Sequence, residues 1–198
     1  KEKDITFSGN AEAKGTDADT YNMGLKAENF ANSNGNFANV EFVVKEDGKL
    51  TITKRDVTLT SADAEKVYDG TALTNDTVTV SGDGFVKNDG ATYDVTGTIT
   101  NVGTEPNTFT YTLNEGTKAD NYNITLKKGS LEIKPITDEV VVTITEHSNS
   151  AKYDGKEHKA EGYDVTEISN DLYHESDFSF SGDASHKTVA ATNAGSYD

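Results

Sequence analysis

The 198 residues carry 34 acidic and 18 basic side chains, for a formal net charge of −16. A surface of that sign repels phosphate backbones and anionic lipid, which excludes nucleic acid as a partner. With no cysteine, a disulfide framework, thiolate zinc sites and cysteine nucleophiles are excluded as well.

The 17 glycines, 2 prolines and a hydrophobic content of only 33% favour turns and strands over helices. The apolar residues fall in short alternating runs, the pattern of half-buried strands. No apolar run reaches the length of a membrane span. The start Lys1-Glu2-Lys3-Asp4 is not a signal peptide, and the chain reads as a piece of something longer.

In chain order, residues 1–54 read as the back half of a repeat. They close on Gly48-Lys49-Leu50-Thr51-Ile52, a Gly-x-Leu-x-Ile signature that returns as Gly129-Ser130-Leu131-Glu132-Ile133. Residues 55–135 read as one complete repeat. Strands are predicted around Val57 and Leu59, around Val78 and Val80, and over Tyr93, Val95 and Ile99 with Gly97 between them. Further strands are predicted around Phe109, Tyr111 and Leu113, around Tyr122, Ile124 and Leu126, and at Leu131 and Ile133. Asp69-Gly70, Asp83-Gly84, Asp89-Gly90 and Lys128-Gly129 mark the turns.

Residues 136–198 read as the front half of a repeat, opening on Val142-Thr143-Ile144-Thr145, the counterpart of Val57-Thr58-Leu59-Thr60. Phe178-Ser179-Phe180-Ser181-Gly182 matches Ile5-Thr6-Phe7-Ser8-Gly9, so the layout is half, whole, half. The joints Ile52-Thr53-Lys54-Arg55 and Ile133-Lys134-Pro135-Ile136 are too short to act as flexible tethers. Self-similarity of this kind denotes an array of like modules. The strand density predicts an all-β fold of tandem small antiparallel β-sandwiches of immunoglobulin-like character. The alternative is a β-grasp-like module, with a short helix over residues 170–177.

One motif occurs twice: Lys66, Tyr68, Asp69 and Gly70 return as Lys152, Tyr153, Asp154 and Gly155. The structural reading is a tight Asp-Gly turn anchored by a tyrosine that buries its ring and keeps its hydroxyl wet. The functional alternative stacks sugar on Tyr68 and Tyr153. Lys66 and Lys152 are also the candidates for a lysine-to-asparagine amide cross-link, which needs a lysine buried among aromatics.

Catalytic, metal and cofactor residues are not predicted. His147, His158, His174 and His186 are too widely spaced for a zinc site. Asp17, Asp19, Asp83 and Asp89 do not form the ligand ladder of a calcium loop. No nucleophile elbow is present.

Lys66-Val67-Tyr68-Asp69-Gly70-Thr71, with Ser81-Gly82-Asp83-Gly84-Phe85, Asn101-Val102-Gly103 and Asn121-Tyr122-Asn123-Ile124, resembles the YDG/MBG-type repeats of large bacterial surface proteins. Lys152-Tyr153-Asp154-Gly155, with Glu161-Gly162-Tyr163 and Asn193-Ala194-Gly195-Ser196-Tyr197, resembles a sister subtype. The resemblance implies a non-catalytic stalk or spacer segment of an extracellular, cell-wall-anchored, adhesin-like protein. The alternative it implies is an adhesin module that itself binds host glycan or host protein. Neighbouring repeats of the same protein are the expected partners, with head-to-tail self-association through the incomplete terminal repeats.

Overall fold

The computed structural model describes residues 1–179 and 188–197, so Phe180-Ser181-Gly182 and His186 lie outside the described residues. The chain is all-β, built from small sheets, and divides into two compact units. Unit 1 comprises Lys1–Lys66, Ala72–Ile99 and Gly103–Ile133; unit 2 comprises Val67–Thr71, Thr100–Val102 and Lys134–Asp198.

Unit 1 begins with four three-residue strands, β1 (Ile5–Phe7), β2 (Thr20–Asn22), β3 (Phe30–Asn32) and β4 (Lys49–Thr51). They pair as β1 with β3 and β2 with β4, both antiparallel. Phe30 links the apolar side chains there, 5.3 Å from the Phe7 ring and 6.1 Å from that of Phe42.

Residues 55–135, the stretch read above as one complete repeat, contain β5 (Arg55–Ser61), β6 (Ala64–Val67), β7 (Val78–Gly82), β8 (Ala91–Val95), β9 (Gly103–Asn107), β10 (Phe109–Leu113), β11 (Tyr122–Lys127) and β12 (Gly129–Lys134). Its sheets run β7-β5-β11, β6-β12-β9 and β8-β10. Alternation works as the sequence dictates: Val57, Leu59 and Ser61 of β5 are buried, and so are Leu131 and Ile133 of β12. With Val57 and Leu59, Phe109 and Tyr122 form the core cluster, and the Phe85 ring meets Tyr122 edge-on at 5.1 Å.

Three features depart from the sequence reading. First, β11 runs parallel to β5, with Tyr122 opposite Arg55 through Lys127 opposite Thr60, where an antiparallel arrangement was expected throughout. Second, the strand expected to reach Ile99 stops at Val95, because the N–H groups of Thr96 and Gly97 both turn to the Thr108 carbonyl, at 2.8 and 3.0 Å. Ile99 makes only an isolated bridge to Leu73. Third, β9 contains Pro106 and gave no strand signal. It lies at the edge of its sheet, where a proline costs no ladder bond on the outer side.

Unit 2 contains β13 (Val142–Glu146), β14 (His158–Glu161), β15 (Tyr163–Ile168) and β16 (Thr188–Ala191). β13 pairs with β15 and β14 with β16, both antiparallel. Among the described residues, every fully buried apolar side chain belongs to unit 1. The helix that the β-grasp alternative places over residues 170–177 is replaced by a turn closed by Tyr173 N–H on Asn170 O (3.0 Å) and a 3₁₀ turn at Glu175–Asp177. Asn170 caps that first turn, accepting Leu172 N–H on Oδ1 at 2.9 Å. No helix among the described residues is long and apolar enough to cross a membrane.

Candidate functional site

The repeated Tyr-Asp-Gly element is built the same way in both places. Asp69 Oδ1 accepts the Thr71 N–H at 2.9 Å, and Asp154 Oδ1 accepts the Lys156 N–H at 2.9 Å. Gly70 and Gly155 both sit at φ 76°, in the left-handed region that a residue without Cβ enters freely. These are Asx turns, in which a short acid supplies the bond that the backbone would otherwise lack. They are finished differently. Thr71 Oγ1 adds a bond to Asp69 at 2.7 Å, whereas His158 Nε2 approaches Asp154 at 2.9 Å. The Lys156 amide first, and His158 second, hold the Asp154 carboxyl below the ordinary aspartate range.

The tyrosines part company. Tyr68 is half-buried and, with Val102, Pro135, Ile136, Leu172 and Tyr173, lines an apolar recess of about 220 Å³ in unit 2. Its N–H bonds Lys134 O at 2.9 Å. Tyr153 is 68% exposed, which corrects the expectation that each tyrosine buries its ring. The reason is local: Tyr68 directly follows β6, which has β12 beside it, while residues 151–153 belong to no strand among the described residues. Tyr153 instead stands on an open cleft of about 660 Å³ that also meets His158, Val189, Asn193 and Tyr197.

The two lysines raised as amide cross-link candidates differ in setting. Lys152 is exposed, and Lys66 Nζ lies 3.4 Å from the Ala72 carbonyl.

The acids considered as calcium ligands have structural duties. Asp17 accepts Asn121 Nδ2 at 3.0 Å and Lys118 Nζ at 2.7 Å, while Asn121 Oδ1 accepts the Ala18 N–H at 2.7 Å. Asn121 first, then Lys118, lowers the Asp17 pKa. Asp83 accepts the Asp56 N–H at 3.2 Å, and Asp89 accepts the Tyr122 hydroxyl at 2.5 Å. Burial, reinforced by that bond to Asp89, raises the Tyr122 pKa. Among the described residues no cluster of three metal-ligating side chains occurs.

A recurring element escaped the sequence reading. A 3₁₀ turn at Ala27–Asn29 runs straight into β3, and one at Ala119–Asn121 runs straight into β11. The near-identity of Lys26-Ala27-Glu28-Asn29-Phe30 and Lys118-Ala119-Asp120-Asn121-Tyr122 was the signal. Asn29 closes its own turn by accepting the Lys26 N–H at 2.8 Å. Asn121 is spent on Asp17 and Ala18 instead.

Among the described residues, His147 is the most constrained histidine: Nδ1 faces the Glu161 carbonyl at 2.9 Å and Nε2 faces Asp164 at 3.1 Å. Asp164 first, then the Glu161 carbonyl, raises its pKa above the ordinary histidine value. A raised folded-state pKa stabilises the fold below the unfolded value, and that contribution disappears as pH climbs through the folded one. A proton NMR titration is expected to place the His147 midpoint above 6.5 and to bring it down in Asp164→Asn. A midpoint unmoved by that substitution would contradict the pairing.

Each strand of the two-stranded sheets has one hydrogen-bonded neighbour among the described residues. Among the described residues β13 has a partner on one side only, β15. Residues 39–45 carry no ladder, and Val40 and Val43 there are 46% and 75% exposed.

Comparison with protein-family models, with curated proteins and with solved structures finds no match to this chain.

Proposed function

We propose that this chain is a non-catalytic spacer segment of a bacterial surface protein, outside the cell and anchored to the wall through other parts of its parent. The YDG/MBG-type resemblance of the two Tyr-Asp-Gly units supports the reading. The observation that carries it is the joint after the complete repeat. Pro135 and Ile136 lie in the recess with Tyr68, and Lys134 O is bonded to Tyr68 N–H. Within unit 2, residues 134–136 are therefore held against Tyr68 rather than running as a solvated flexible stretch.

Its partners are neighbouring repeats. The unpaired side of β13 suits a segment such as residues 39–45 that carries no ladder of its own, as β5 accepts β11, and head-to-tail association uses the same edge. The immunoglobulin-like sandwich belongs to this reading as the form of each finished module.

A second reading has one observation in its favour: Tyr153 and Tyr197, 68% and 49% exposed, stand on the same cleft, as a weak sugar-stacking surface requires. Immobilised chain probed on a glycan array and with mucin separates the two. The spacer reading expects no saturable signal. A saturable signal lost in Tyr153→Ala would replace it with the adhesin alternative.

A further inference from the structure

We infer that the complete repeat carries a mechanical clamp: the parallel β5–β11 pair ties the start of the repeat to its end and resists tension in shear. The inference takes its biological meaning from the spacer reading, but its geometry stands apart from it.

Tension along the polypeptide enters this repeat at Arg55, the first residue of β5, and leaves through Lys134, the last residue of β12. β11 precedes β12 with only Lys128 between them. β5 and β11 are neighbours and parallel over six registered pairs, from Arg55 with Tyr122 to Thr60 with Lys127. The next segments keep the same company. Gly129 N–H donates to Ser61 Oγ at 3.0 Å, Ser130 N–H donates to Asp63 Oδ1 at 2.7 Å, and Tyr68 N–H donates to Lys134 O at 2.9 Å. The first and last stretches of the repeat thus run side by side in one direction.

In that arrangement, the amino end of one strand and the carboxyl end of its neighbour are pulled apart. The strands must slide along each other, and the evenly spaced bonds of a parallel ladder share the load. An antiparallel pair opened from its free end breaks its bonds one after another. β8 and β10 offer that contrast within the same molecule, with Ala91 opposite Leu113 at the open end.

The side chains seal the clamp. Val57 and Leu59 of β5 and Tyr122 of β11 belong to the core cluster, with Ile124 packed against it. Sliding by one residue would turn these to the opposite face. Asn123 Nδ2 donates to Asp56 Oδ1 at 2.9 Å across the outer face.

The absence of cysteine makes the test direct, since handles can be attached at chosen sites. One variant carries Lys54→Cys with Thr137→Cys, which loads β5 and β11 in shear. A second carries Lys87→Cys with Glu115→Cys, which peels β8 from β10. All four are exposed positions, and urea unfolding checks that both variants keep the parent stability. In single-molecule force spectroscopy at one loading rate, the shear pair is expected to yield at a force several-fold above the peeling pair. A third variant adds Thr125→Pro to the shear handles, placing proline in β11, and is expected to lose most of that excess. Equal forces in the two directions, or an unchanged force with Thr125→Pro, would overturn the clamp. Neither outcome bears on the glycan test, so the clamp and the spacer reading fail separately.

Discussion

Asn107→Ala is expected to cost the complete repeat about 2–4 kcal/mol, read in urea as a lower midpoint with an unchanged slope. Asn107 is fully buried at the end of β9. Its Nδ2 donates to the carbonyls of Ala62 (2.9 Å) and Asn75 (2.8 Å), and its own backbone carbonyl accepts Ser61 Oγ at 2.6 Å. Alanine keeps the backbone bond but strands two carbonyls and leaves a void. Oδ1 has no partner and points at Gly97, where an added Cβ would come within 2.3 Å of it. Asn107→Asp is expected to be worse than alanine, because it removes the donors and leaves a carboxyl without partners in the same place. A midpoint unchanged in both variants would show that the network contributes little.

Leu59→Ala is expected to cost about 2–5 kcal/mol, the range for truncating a buried leucine where the surroundings collapse only in part. Leu59 is wholly buried in the middle of β5, opposite Val80 on one side and Leu126 on the other. Neither neighbouring strand can close the gap without giving up its register. Leu172→Ala is the control. Leu172 is 36% exposed, and its loss is expected to change stability by less than about 1 kcal/mol. Because the chain has two units, unfolding is best followed with a probe in each, Tyr122 in unit 1 and Tyr163 in unit 2.

Much of the complete repeat was legible from period-two alternation, since a strand that buries one face writes that face into its sequence. Val57 with Leu59 and Leu131 with Ile133 were found this way. The Asp69-Gly70 and Asp83-Gly84 turns were legible because positive φ selects glycine, whereas at Asp89-Gly90 the positive φ falls on Asn88 instead. The 3₁₀ turns before β3 and β11 were not, because three residues are too few to show a period. The duties of Asp17, Asp83 and Asp89 were also hidden, since an acid in a turn and an acid awaiting a cation look alike until the donors are placed.

From its residues alone the chain was determined to be all-β, strongly acidic and free of cysteine chemistry, because composition and alternation are local properties. Only the tertiary structure decided that β11 returns parallel to β5, that Asn107 pins the repeat from inside, and that Tyr68 is half-covered while Tyr153 is bare. Each of these depends on which strand lies beside which, and pairing between residues tens of positions apart leaves no mark on either partner by itself.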